Sequence, residues 1–239
     1  MAAKPESLLI WGAGQHGRVV AEIARAAGHT VLGFIDADPR KRGSAVDAAG
    51  ARVVLVEAEL MACLHGDRAL PDGVDGIVPA VGDNHTRFAQ VWWLGALLAP
   101  ALIHPTAFIS PSAIVQAGSV VGPMAVVNTG ARVGHGVIVN TGAIVGHDSR
   151  VADGAHIGGG VVLTGSTHVG ARTFVATSAS LVPGVHVGAD VVVGAGAVVL
   201  HDVADGSTVV GVPAHHIESE QHGAVGAADL SISAALVGV

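Results

Sequence analysis

The chain has 239 residues, a formal charge of −7, 14 histidines and a single cysteine, Cys63. Without a basic tract or interleaved aromatics it does not read as a nucleic-acid binder, and one cysteine excludes an internal disulfide framework. The apolar run before Gly12 is too short for a signal-peptide core and no stretch reaches spanning length, so the expectation is a cytoplasmic protein with a small-molecule partner, no nucleic acid and no membrane.

Composition divides the chain: nine of the twelve Lys and Arg fall in residues 1–100, and only Arg132, Arg150 and Arg172 follow. Leu8 to Trp11 reads as a buried strand, followed by Gly12-Ala13-Gly14-Gln15-His16-Gly17 and a helical run from Arg18 to Ala27 that Gly28 stops. Val31 to Ile35 reads as a second strand closed by Asp36. Strand, glycine turn, helix, strand and acid is the dinucleotide-type pattern, in which glycines admit a pyrophosphate to a helix N-terminus and the carboxylate accepts from ribose hydroxyls. A glycine turn also serves tight packing, and that alternative stays open here. A helix at Ala58 to His65, a third strand at Ile77 to Val81, Gly82-Asp83-Asn84 and a helix from His85 through Leu98 complete this part. Three strands are half of a full dinucleotide fold, which argues against an NAD-linked oxidoreductase.

From Ile103 to Val199 an aliphatic residue returns at every sixth position for seventeen hexads, and a small or β-branched residue stands four places after each. Six residues make one short strand and a bend, and three such units make an eighteen-residue coil that stacks as a parallel β-helix. The expected organisation is therefore a nucleotide-binding half-fold at 1–100, a β-helix at 101–214 and a tail at 215–239 to which no role is given. The fold class is α/β followed by a hexapeptide-repeat prism. A prism can be pure scaffold, so a non-catalytic nucleotide-binding protein is the alternative from another class.

None of the prism histidines falls at an inward position. Eighteen residues advance one coil along an edge, so Thr129, His147, Gly165, Pro183 and His201 form one column. His147 then lies one strand spacing from the Gly165 amide, with Asp148 beside it. Acyl transfer from a thioester needs a general base and a donor aimed at the developing oxyanion, and a carboxylate next to an imidazole fixes which nitrogen is free. A zinc site is not expected, because His168 and His186 stack one coil apart without a third ligand.

The GAGQHG turn, the GDN after the third strand, the IHPTAFISPSA lead-in and GHD with His156 eight residues after Asp148 give the chain its resemblance. It resembles bacterial hexapeptide-repeat acetyltransferases of sugar nucleotides and sialic acids. That resemblance implies a left-handed β-helix, acetyl-CoA as co-substrate, no metal and a homotrimer with acetyl-CoA between neighbouring prisms. The acceptor it implies is the 4-amino group of a UDP-, GDP- or dTDP-linked 4-amino-4,6-dideoxy sugar used in surface glycans, with sialic acid O-acetylation as the alternative. It also implies His147 as base with Asp148 raising its basicity, His156, Gly165, Thr177 and Ala195 on acetyl-CoA, and Gly14, His16, Asp36 and Gly82 on the sugar nucleotide. His147 and His156 lie on different edges and would meet only across a subunit boundary. Asp36-Ala37-Asp38 departs from the adjacent acids that relatives can carry, and His215-His216 stands where they often place Lys or Arg.

Overall fold

The computed structural model describes residues 6–217, so 218–239 of the expected tail lie outside the described residues. The first part is a parallel sheet of four strands in the order β3-β2-β1-β4: β1 Ser7–Trp11, β2 Thr30–Asp36, β3 Val53–Val56 and β4 Gly76–Pro79. Helices α1 Gln15–Ala26, α2 Glu57–Leu64 and α3 Asn84–Leu94 accompany it. Sequence reading gives three strands and misses β3. The run Val53-Val54-Leu55-Val56 is only four residues long, and Val54 and Val56 are half-buried on an edge strand, so it carries little periodic signal. Leu8, Ile10, Phe34 and Val78 form one core layer with Val20 and Ile23 of α1, while Leu9, Trp11, Ile35 and Ile77 form the other with Leu60 of α2. This alternation explains why the buried strands are apolar on both faces.

The prism has seventeen two-residue strands at six-residue intervals, from Leu102–Ile103 to Val198–Val199, and residues eighteen apart pair in parallel register. Together they make a left-handed parallel β-helix. The second residue of each strand points inward, and from Val121 to Val199 these aliphatics are buried. The first residue points outward and defines three faces. Face 1 carries Leu102, Val120, Ile138, His156, Phe174 and Val192; face 2 carries Phe108, Val126, Ile144, Val162, Ser180 and Val198; face 3 carries Ile114, Arg132, Arg150, His168 and His186. Thr208–Val210 extends face 1, and His215–His216 pairs with it antiparallel, so the sheet runs past the expected closing turn at Ala214.

The half-fold docks on face 1 and on the edge between faces 3 and 1. Leu98 sits where a Cβ at Gly118 would fall, Val91 where one at Gly136 would fall, and Phe88 where one at Gly154 would fall. Arg87, 1% exposed, fastens this contact: it donates to the carbonyls of Val81, Gly82, Gly136, Gly154 and Ala155 and to Asn84 Oδ1. No carboxylate pairs with it among the described residues, and burial holds its pKa down to about 9. A cation this deep is tolerable only because six acceptors replace its water shell.

Candidate active site

From Gly118 to Gly196 the bend of every hexad holds one residue with a left-handed backbone. Glycine fills most of these positions, Gly130, Gly142, Gly154 and Gly160 among them, and Asp148 is one of six other residues that take one, with φ 57. A non-glycine residue pays about 1–2 kcal/mol there. What it brings is a carboxylate on the neighbouring imidazole: His147 Nδ1 lies 2.9 Å from Asp148 Oδ2. With Nδ1–H donated to Asp148, Nε2 is left as an acceptor.

That nitrogen is aimed at the next coil. A Cβ built on Gly165 would lie 2.5 Å from His147 Cε1 and closer still to Nε2, so the ring lies directly over the glycine. Gly165 accepts from Gly184 N through its carbonyl, while its own N–H takes no part in the backbone ladder. His147, Asp148 and Gly165 are thus assembled as the spacing predicts, on an exposed edge between faces 2 and 3. The His147 side chain is 62% exposed.

Thr177 and Ala195 stack one coil apart on the edge between faces 1 and 2, where Gly196 N donates to the Thr177 carbonyl. His156 is on face 1. Its ring lies 5.0 Å from Phe174 and 6.4 Å from His16 of the half-fold, and its Nε2 is 3.3 Å from Asn140 Nδ2. Within one chain the structure does not bring His156, Thr177 or Ala195 to His147. Asn140 and Arg87 are the members of this neighbourhood that sequence reading missed. Asn140 recurs with Asn128 at bends two hexads apart, a signal that was available; Arg87 sits in a helix with nothing local to mark it.

The glycine turn does mixed work. Cβ atoms at Gly12 and Gly17 would strike the Ala80 and Gly12 carbonyls, so both serve close packing, whereas Gly14 faces open space. Gly14 borders a cavity of about 360 Å³ that Gln15, Arg18, Lys41 and Ser44 also line. Asp36 ends β2 beside it, and its oxygens already accept from Ala13 N, Asp38 N and Lys41 Nζ at 3.2, 2.9 and 2.9 Å. Burial pushes its pKa up, but those hydrogen bonds and the Lys41 charge outweigh it and the net shift is downward. Asp36 therefore shapes the turn and holds a cation as well as offering an acceptor. Gly82 is open on its Cα side and gives its carbonyl to Arg87; Asp83 caps α3 through Thr86 N at 2.8 Å, and Asn84 Nδ2 donates to the Arg172 carbonyl. The GDN motif is thus largely a device for seating α3 on the prism.

Burial first and Arg87 second push the His16 pKa from 6.5 to about 4, and burial, Arg87 and His16 push that of His156 well below 6.5. Nε2 of His16 is buried without a protein partner. Both rings are neutral at pH 7. Below about 6.5 the unfolded chain binds protons that the folded chain refuses, so stability is full above that pH and declines as pH falls toward 4, His16 alone accounting for roughly 3 kcal/mol. Thermal midpoints measured from pH 7 to pH 4 should fall across this window, and His16→Asn should flatten the fall; an unchanged profile would place His16 in water instead.

Comparison with known proteins places this architecture. Residues 7–92 match the PglD N-terminal domain family. A mutant perosamine N-acetyltransferase from Caulobacter crescentus, solved in complex with CoA and GDP-perosamine, is 33% identical over 89% of this chain and 97% of its own, with a TM-score of 0.78. The acetyltransferase domain of PglB from Neisseria gonorrhoeae, in complex with acetyl coenzyme A, is 38% identical over 90% and 100%, also at 0.78. WeeI from Acinetobacter baumannii shares the fold at 20% identity and a TM-score of 0.64 over 89% and 100%. A search of curated protein sequences found no match. With identity at this level along nearly the whole chain, and with both halves of the architecture present, the protein belongs to the family of hexapeptide-repeat sugar N-acetyltransferases with a PglD-type N-terminal domain.

Proposed function

We propose that the chain moves the acetyl group of acetyl-CoA to the 4-amino group of a nucleotide-linked 4-amino-4,6-dideoxy sugar, in the cytoplasm, as a step toward a surface glycan. The observation that carries this reading is the Asp148-oriented imidazole lying over Gly165, in a chain one-third identical to an enzyme solved with CoA and GDP-perosamine. His147 Nε2 takes the proton as the amine attacks the thioester carbonyl, and the Gly165 N–H faces the oxygen that becomes negative. The C–N bond forms, the C–S bond breaks, and the imidazolium returns its proton to the departing thiolate. Gly14, His16, Asp36 and Gly82 form the acceptor side, and His156, Thr177 and Ala195 the acetyl-CoA side.

A homotrimer completes this site. His147 lies on one edge of face 2, and Asn140, Thr177 and Ala195 on the other, with His156 turned toward it through Asn140. The outward column of face 2 between them is uncharged, with Phe108 56% and Ile144 36% exposed. A three-fold axis in front of face 2 brings the His147 edge of one chain to the Asn140 and Thr177 edge of the next and covers that column. The test is thiol release from acetyl-CoA with UDP-, GDP- and dTDP-4-amino sugars and with sialic acid, alongside sedimentation. Acetylation of a nucleotide amino sugar by a trimer is expected, with Ile144→Glu giving an inactive, folded monomer. Release with sialic acid alone, or full activity in the monomer, overturns the respective part.

A further inference from the structure

The residues other than glycine at the left-handed bends are Met124, Asp148, Ser166, Arg172, Ser178 and Asp190. Each bears a conformational cost that glycine would not. For three of them the return is visible. Asp148 holds the His147 ring, while Arg172 donates to Asp190 through Nε at 2.8 Å and lies 5.0 Å from the Phe88 ring of α3. Ser166 follows Gly165 directly, is exposed, and has φ 58. One coil further on, Gly184 takes the same bend, and an added Cβ there would touch nothing. Neither the turn nor its packing therefore requires a side chain at Ser166.

What surrounds Ser166 is the proposed reacting centre. Its N–H donates to the His147 carbonyl at 2.8 Å, and its Cα stands about 3.8 Å from that of Gly165, over which the His147 ring lies. The two other hydroxyls nearest Gly165 in the chain are engaged inside the prism. Thr164 Oγ1 donates to the Leu181 carbonyl at 2.7 Å, and Thr167 Oγ1 lies buried 3.0 Å from Ser149 Oγ. The Ser166 hydroxyl takes part in no hydrogen bond among the described residues. A strained backbone thus presents an unengaged donor beside the one bend amide, that of Gly165, already assigned to the oxyanion.

We propose that Ser166 is a second oxyanion donor, its O–H joining the Gly165 N–H on the thioester carbonyl oxygen as the acceptor amine attacks. This rests on the acetyl transfer proposed above. As the C–N bond forms, the carbonyl electron pair moves onto oxygen, where both donors meet it. The pair returns as the C–S bond breaks and the thiolate leaves. Ser166 gives up no proton, since the amine proton passes to His147 Nε2. Two donors aimed at one oxygen stabilise charge that exists only in the transition state, so the hydroxyl acts on turnover and not on the binding of either substrate.

The test is steady-state kinetics on the native chain, Ser166→Ala and Ser166→Gly with the nucleotide amino sugar that serves best, together with thermal midpoints and calorimetric titration with CoA. Both variants should lose kcat on the order of tenfold or more, with the KM of each substrate and the affinity for CoA nearly unchanged. Ser166→Gly also relieves the left-handed backbone, so it should lose rate without any fall in its thermal midpoint. Ser166→Ala keeps that backbone and lacks only the hydroxyl, so an equal loss in the two variants assigns the effect to the O–H. Native kcat in either variant, weakened CoA binding, or a glycine variant whose midpoint falls with its rate overturns the proposal. Acetyl transfer that needs Ser166 but goes to an acceptor other than a nucleotide amino sugar would keep the donor and sink the substrate reading. Transfer to the sugar at native rate in both variants does the reverse, so the two failures are distinguishable.

Discussion

His147→Ala should lower turnover at saturating substrates on the order of a hundredfold or more and leave acetyl-CoA binding nearly as it was, because on the proposed mechanism what is lost is a proton acceptor at the reacting atoms. Asp36→Ala should act on the other substrate of the proposed reaction. Its carboxylate ties Ala13 N and Lys41 to the end of β2, so the glycine turn and one cation of the nucleotide cavity lose their anchor together. The effect belongs in the KM of the sugar nucleotide, with kcat largely kept. Steady-state kinetics on both variants, with sedimentation to confirm assembly, separate these outcomes. His147→Asn distinguishes base loss from bend damage: Asn retains a polar side chain beside Asp148 but has no basic nitrogen. If Ala and Asn variants both turn over normally, His147 is a bend residue and the chemistry lies elsewhere.

The prism was legible because a six-residue period fixes the path, the inward positions and the columns together, with nothing left to tertiary chance. His147 over Gly165 follows from the eighteen-residue coil alone, and the structure finds that contact. Legibility weakens where partners are distant in sequence and follow no period. Arg87 reaches prism carbonyls at Gly136 and Gly154, and nothing near it in the chain announces that it will be buried without a carboxylate. The glycine turn was read as one unit, yet the backbone divides it: Gly12 and Gly17 pack, and only Gly14 opens on the cavity. Residue type gives the turn; which glycine faces a ligand depends on where β4 and the turn's own carbonyls lie. The column of Arg132, Arg150, His168 and His186 on face 3 follows from their eighteen-residue spacing, and only the pairing of Arg172 with Asp190 makes the two arginines stand out.

Gly165→Ala should abolish most activity while barely touching the fold. His147 and Pro183 occupy the same column one coil to either side, and Thr129 two coils before, so stacking of the coils does not require a glycine there. Nor does the backbone: Gly165 is not among the glycines with left-handed φ, and the atoms nearest an added Cβ are all in the His147 ring. That ring is exposed and held mainly by Asp148, so it swings outward at a cost of about 1 kcal/mol or less. Outside its place it no longer meets the acceptor amine, and turnover should fall nearly as far as in His147→Ala. The alanine keeps its N–H, so the loss reports displacement of the base rather than removal of the oxyanion donor. Gly146→Ala is the contrasting substitution, since its Cβ would lie 2.5 Å from the Thr164 carbonyl carbon and the coil itself must give way. Thermal melts and kcat for the two variants should therefore diverge, with Gly146→Ala losing stability and Gly165→Ala losing rate. A folded Gly165→Ala trimer with native turnover would show that the imidazole does not work from the position over Gly165.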